Sequence, residues 1–411
     1  MSSIAIFPCR HTPAEIIAKE LASKFTLKTY TDENLIVDTA AAFGISEDKL
    51  RSAMFEKTSV FNKFTLEREK LINMLKQTLH QRLDSTDQYL FEGFFTSLIP
   101  SRINHVLKVL VVDAQADRIS YAVASGISEK QAQKSRKEFD KMAYGWTDFL
   151  FKKEAYESSL YDLVIPVAQK TDKELVEAII KCFHTTSVLR TNESQQAVSD
   201  MLLEVKIEHI LLEKGHKIGI LVAEGDTTLT VEEDVFNFGK LEEELSQLAR
   251  QVEGVGKVTV KQSPNAKKSI YRRQKFELPS KVLFVDDEKE FVQTVSERLI
   301  SRDVGTYGVY DGEAALEVVN EDQPDVMVLD LKMPGIHGVE VLRQTKELAP
   351  EVEVIILTGH GTMDDMQQCM ELGAFAYMNK PVDIEELSTT IKAASEKAAA
   401  AAGKNGSPKN G

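Results

Sequence analysis

Cysteine is scarce in this chain: its 411 residues hold three, Cys9, Cys182 and Cys369, set far apart. That spacing excludes a disulfide framework and a paired-thiol metal knot, and it fits reduced thiols in a cytoplasm. Long apolar runs are missing as well. No stretch reaches the roughly 20 residues that a bilayer span needs. The start, Met1-Ser2-Ser3-Ile4-Ala5-Ile6-Phe7-Pro8, lacks the basic opening and apolar core of an export signal. Positive charge is in deficit, with a formal net charge of -14, which argues against broad binding to nucleic acid or anionic membrane. Glycine is absent from one telling place, the loop after the first strand. There the sequence reads Pro8-Cys9-Arg10-His11-Thr12-Pro13. A phosphate-cradling loop needs glycines and backbone N–H donors, so G-x-x-x-x-G-K-[ST] chemistry is not expected here.

What is present supports several cores. Hydrophobic residues make up 43%, and the length suits two to four domains of about 100–200 residues each. The expected fold class is α/β and multidomain. Ile4–Phe7 reads as a strand, followed by an amphipathic helix from Thr12 or Pro13 to about Lys24. Val106–Val112 is an apolar strand broken only by Lys108. Ser128, with Gln131 three residues on, reads as a helix N-cap. Tyr161–Ile165 reads as a strand and Lys173–Phe183 as a helix. Residues 1–185, on Leu27–Ile36, Gly126–Lys141 and Tyr161–Ile165, resemble the cytidylate-kinase-like family. The resemblance implies a nucleotide-kinase-like α/β domain with Arg10, Arg136, Lys137 and Lys141 as nucleotide contacts. Read as residues alone, these cations form a solvated charge run. With the phosphate loop degenerate, the expected role is binding without turnover.

The second segment, 195–262, reads as helix, strand at Lys217–Val222, strand at Thr227–Val231, helix at Leu241–Val252 and strand at Lys257–Val260. On Leu241, Leu245, Leu248 and the corner Val252-Glu253-Gly254-Val255 it resembles a BON domain, a small α+β interaction module. Residues 263–279, with Pro264 and a basic group, read as a linker.

From residue 280 to 395, short apolar strands alternate with helices, the signature of a doubly wound five-stranded parallel sheet. Polar residues gather where strands end: Asp286-Asp287, Asp330, Thr358-Gly359 and Lys380-Pro381. In open α/β sheets that rim is the ligand-binding edge. Carboxylates crowded there repel one another, and a hard divalent cation resolves the conflict. The segment resembles a response-regulator receiver domain, flavodoxin-like in fold. The resemblance implies a phosphorelay role with Asp330 as phosphoryl acceptor. It implies Mg2+ on Asp286, Asp287, Asp330 and the Lys332 carbonyl, with Thr358 and Lys380 as phosphoryl partners and Tyr377 as a switch aromatic. It also implies a cis bond before Pro381, a sensor histidine kinase or phosphotransfer protein as donor, and homodimerisation through the switch face. Beyond receiver phosphorylation and dephosphorylation, no enzyme activity is expected. The alternative is a nucleoside-monophosphate kinase gated by the receiver. No helix-turn-helix pattern follows, so no DNA-binding domain is expected, and 396–411 reads as a flexible tail. Met363, Met366 and Met370, at helical spacing, read as helix packing, with contact to a partner as the alternative.

Overall fold

Five short strands build the first sheet of the computed structural model, which describes residues 2–185, 188–235, 238–270, 281–300, 302, 304–359 and 362–405. They are β1 (Ser3–Phe7), β2 (Lys28–Thr31), β3 (Tyr89–Glu92), β4 (Val106–Val112) and β5 (Leu163–Pro166). Their order is β2-β3-β1-β4-β5, with every pairing parallel. A parallel sheet needs cover on both faces, and β4 shows how its sequence provides for it. Leu107, Val109 and Val111 join one core cluster, while Val106 and Leu110 join another. The first helix runs Ala14–Phe25. The helix Glu129–Phe151 begins at Ser128, whose hydroxyl accepts the Gln131 N–H, as the sequence predicts.

The second segment follows the expected order of elements. Helix Asn192–Glu213 leads to β6 (Gly219–Ala223) and β7 (Asp226–Asp234), then to helix Phe238–Ala249 and β8 (Val258–Ile270). β6 pairs antiparallel with β7, and β7 parallel with β8. The strand β8 corrects the linker reading of 263–279, because pairing continues to Ile270 opposite Asp234. Pro264 had marked the stretch as non-strand. The ladder shifts register after Val231, and irregular pairing of that kind is where a strand tolerates proline. The remainder of the expected linker, 271–280, lies outside the described residues.

By contacts the chain divides into two compact units. One holds Met1–Thr58, Arg68–Leu212 and Lys217–Tyr271; the other holds Ser59–Glu67, Glu213–His216 and Arg272–Gly411. The short Ser59–Glu67 segment therefore counts with the C-terminal sheet. Phe61 is buried in the same cluster as Leu283 and Val309, and the Val60 N–H donates to Asp322 at 2.7 Å.

The C-terminal sheet comprises β9 (Val282–Val285), β10 (Thr306–Val309), β11 (Val326–Leu329), β12 (Glu353–Thr358) and β13 (Ala376–Asn379). Its order is β10-β9-β11-β12-β13, again all parallel. Every residue of β9, β11 and β12 is buried, which is why Val282–Val285, Val326–Leu329 and Val354–Leu357 read as unbroken apolar runs. The last helix, Ile384–Asn405, overruns the tail expected from 396. Five consecutive alanines, Ala398–Ala402, carry it on, since alanine is the best helix former. Residues 406–411 lie outside the described residues.

One buried histidine gives the first unit a pH dependence. The His105 Nδ1 lies 2.7 Å from Ser194 Oγ. Burial, aided by the Arg190 charge, pulls its pKa from 6.5 down to about 4. The unfolded chain therefore binds the extra proton first, so stability falls as pH drops from about 6.5 towards 4. Denaturant midpoints of the full chain at these two pH values should show the loss, and His105→Asn should flatten it. An unchanged slope in that variant would rule His105 out as the cause.

Candidate functional site

Three strand ends and one lysine make the polar rim of the C-terminal sheet. Asp286 follows β9, Asp330 follows β11, and Lys380 follows β13. Backbone pairing sets them side by side: the Asp286 N–H donates to Val309 O at 3.2 Å and the Asp330 N–H to Val285 O at 2.9 Å. A ligand oxygen from each of Asp286, Asp287 and Asp330 lies within 4.8 Å of the others. Asp286 is 0% exposed and Asp330 5%, while Asp287 is open to solvent.

The Lys380 ammonium enters this group. It stands 2.6 Å from Asp286 Oδ2 and 3.1 Å from Asp330 Oδ2. It also reaches Glu288 Oε1 at 3.2 Å and lies over the Phe291 ring at 4.4 Å. Sequence reasoning missed Glu288 and Phe291; the signal was the unbroken acidic run Asp286-Asp287-Glu288. Burial pushes the Asp286 carboxyl up, against the pull of Lys380. Burial works against the Lys380 charge, yet its close approach and attraction to Asp286 and Asp330 leave the ammonium above the usual lysine value. The bond between Lys380 and Pro381 is cis, as expected.

Glycines let the loop after Asp330 close. Gly335 takes φ 84° in the turn after Pro334, a conformation that favours glycine. At Gly338, which opens the helix Gly338–Leu348, an added Cβ would stand 2.3 Å from the Asp330 carbonyl oxygen. Lys332 donates its N–H to Asp330 Oδ1 at 3.3 Å. His337 is an N-cap: its Nδ1 accepts the Val339 N–H at 3.4 Å.

Thr358, 0% exposed, ends β12 beside β13, and its carbonyl accepts the Lys380 N–H at 2.9 Å. Tyr377 on β13 packs at the edge of the core. Its hydroxyl is buried without a hydrogen-bond partner among the described residues, and burial raises its pKa. Met363, Met366 and Met370 correct the packing reading: they are 78%, 40% and 44% exposed on the helix Met363–Glu371. Cys369, between them in sequence, is the residue that the core takes.

The donor set suits a hard divalent cation. All three side chains offer carboxylate oxygens, and Asp286 Oδ2 is buried without a hydrogen bond of good geometry despite the nearby ammonium. Magnesium prefers oxygen ligands of this kind.

The four N-terminal cations do not form a comparable group. Arg10, Lys137 and Lys141 are exposed. Arg136 pairs with Asp140 at 2.9 Å. Asp140 also takes two hydrogen bonds from Arg118, at 2.8 and 3.1 Å, and one from the Tyr156 hydroxyl at 2.7 Å. Arg118, 2% exposed, further donates to the Arg10 carbonyl at 2.7 Å. The glycine-free loop is thus held from within by a buried arginine.

Comparisons with known proteins agree with this division. A family model for the response regulator receiver domain matches residues 282–392, and one for the cytidylate kinase-like family matches residues 6–169. The sporulation initiation phosphotransferase F of Bacillus subtilis (strain 168) is 35% identical over 112 residues, covering 27% of this chain and 90% of that protein. A receiver domain protein of Clostridium thermocellum has 34% identity and a TM-score of 0.28, covering 29% of this chain and 95% of that one. A CheY-like receiver of Methanospirillum hungatei JF-1 has 23% identity and a TM-score of 0.28, with the same coverage of 29% and 95%.

Lys380 is the cation on which this rim depends. Lys380→Met leaves Asp286 and Asp330 buried and unpaired, at an expected cost of about 3–5 kcal/mol. Denaturant unfolding without divalent ions measures it, and adding Asp286→Asn should return part of the loss. A loss below about 1 kcal/mol, the scale of an exposed pair, would contradict the assignment.

Proposed function

The chain belongs to the response-regulator family, and on that premise we propose that Asp330 receives the phosphoryl group of a phosphorelay. The observation that carries the proposal is the Lys380 ammonium set between Asp286 and Asp330 at the carboxyl ends of parallel strands. The donor is a phosphohistidine on a sensor kinase or phosphotransfer protein. One Asp330 carboxylate oxygen attacks phosphorus in line. The P–N bond breaks as the O–P bond forms, and the pair of electrons leaves with the imidazole nitrogen.

Little covalent machinery is required of the protein, whose work is positioning and charge neutralisation. Lys380 holds the Asp330 carboxylate in place before transfer and faces the phosphoryl oxygens after it. Thr358, at the end of the neighbouring strand, supplies a hydroxyl to one of those oxygens. Mg2+ on Asp286, Asp287, Asp330 and the Lys332 carbonyl would supply further positive charge when bound.

Signalling follows as a population shift. A phosphoryl group that draws Thr358 and Lys380 towards itself favours one packing of the neighbouring Tyr377 over another. The face that responds comprises the helix Met363–Glu371, β13 and the helix Ile384–Asn405. Its exposed Met363, Met366 and Met370 favour a protein contact, a second copy of this chain included. We place this work in the cytoplasm, in keeping with three free thiols.

The N-terminal sheet has the second reading, nucleoside-monophosphate phosphorylation gated by the receiver, which its match to the cytidylate kinase-like family favours. The Arg118–Asp140 pair and the loop without glycine weigh towards binding without turnover. The middle segment we read as a BON-like interaction module.

Labelled acetyl phosphate or a phosphohistidine donor tests the central step. The full chain should acquire one acid-stable, base-labile phosphoryl group, lost in Asp330→Asn and abolished by EDTA. Equal labelling of Asp330→Asn, or none in the unaltered chain with Mg2+, would sink the proposal. Turnover of CMP with ATP in the same preparation would establish the second reading beside it.

A further inference from the structure

Lys108 is the residue in the first sheet that pattern alone cannot explain. It lies in β4, between core residues Leu107 and Val109. Alternation directs it to the same face as Val106 and Leu110, which are buried in a cluster with Leu75, Leu79 and Trp146. Lys108 is half-buried there, and an apolar side chain is the expected occupant of such a position.

Instead of a partner, Lys108 meets a cavity of about 520 Å³. The cavity lies within the first compact unit. Its apolar wall includes Phe7, Leu98, Leu160 and Tyr161, and β6 adds Ile220 and the exposed Leu221. A second hollow of about 270 Å³ shares Leu98, Glu204 and Ile220 with it. The remaining charges in the wall are already matched. Arg102 pairs with Glu204 at 2.5 Å, and Lys76 with Glu208 at 2.9 Å. Lys108 has no ion pair or side-chain hydrogen bond among the described residues. The acidic charge that bears on it is Asp162, whose carboxylate accepts the Lys108 backbone N–H at 2.8 Å. Burial pulls the ammonium below the usual lysine value, and Asp162 opposes this only in part.

The loop Pro8–Pro13 contributes no residue to this wall, although Phe7, which ends β1, does. Lys108 is near the amino end of β4, and Ser159–Tyr161 in the wall precede β5. The loop Pro8–Pro13 follows the carboxyl end of β1.

We propose that the cavity binds a small molecule with an apolar body and a single carboxylate, which the Lys108 ammonium receives. Volume and lining accommodate the body, as in pockets of about 300–1,000 Å³ that are mostly apolar with few polar groups. The carboxylate supplies the charge that the fold withholds from Lys108, and a charge-assisted contact is stronger in such surroundings than in water.

Calorimetric titration of the full chain with decanoate and with decanol tests this. Decanoate should bind at least about tenfold tighter. Lys108→Met, which keeps the volume and removes the charge, should bring the two to parity while decanol binding persists. Decanoate should also slow reductive methylation of Lys108 in the unaltered chain, a readout that needs no variant to fold. Parity in the unaltered chain, no saturable binding of either probe, or an undiminished margin in Lys108→Met would each overturn the proposal.

Discussion

A single ammonium, that of Lys380, makes the acidic rim of the C-terminal sheet tolerable. Unit charges about 3 Å apart interact strongly wherever water is excluded, and Asp286 and Asp330 are both buried there. Without a cation one of them would take up a proton or the loops would part. The sheet brings this conflict about: parallel strands end on one rim, and the acids sit at those ends. Glu288, on the same ammonium, adds a third acid with 66% of its side chain exposed.

The two ends of the chain use parallel sheets to opposite effect. In the C-terminal sheet the rim acids keep a shared cation and an open carboxylate, Asp287. In the N-terminal sheet the corresponding loop is internally satisfied, with Arg118 tied to Asp140 and to the Arg10 carbonyl. A buried charge already matched by a partly buried carboxylate is a poor receptor for another anion. The architecture is common to both, and chemistry is decided by which polar groups remain unmatched.

Much of this was legible in the sequence because it rested on local pattern. The unbroken apolar strands, the Ser128 cap and the acid–threonine–lysine series depend on neighbours in the chain. What escaped depends on partners distant in sequence. Phe61 is buried in a core with Leu283, more than 200 residues further along the chain. Arg118 sits in a helix that gives no sign of its ties to Asp140 and Arg10. Pro264 argued rightly from strand geometry and misled, since the ladder there shifts register. The three methionines had helical spacing, but spacing alone does not say whether a face meets core or solvent.

Gly338 has a consequence for how this receiver tolerates change. The helix it begins packs so closely on the Asp330 carbonyl that even a methyl group has no room. Any side chain at this position would displace the loop after Asp330 while leaving every charged residue in place. Inheritance of the site therefore rests partly on a position that bears no functional group, and a comparison restricted to reactive side chains would overlook it.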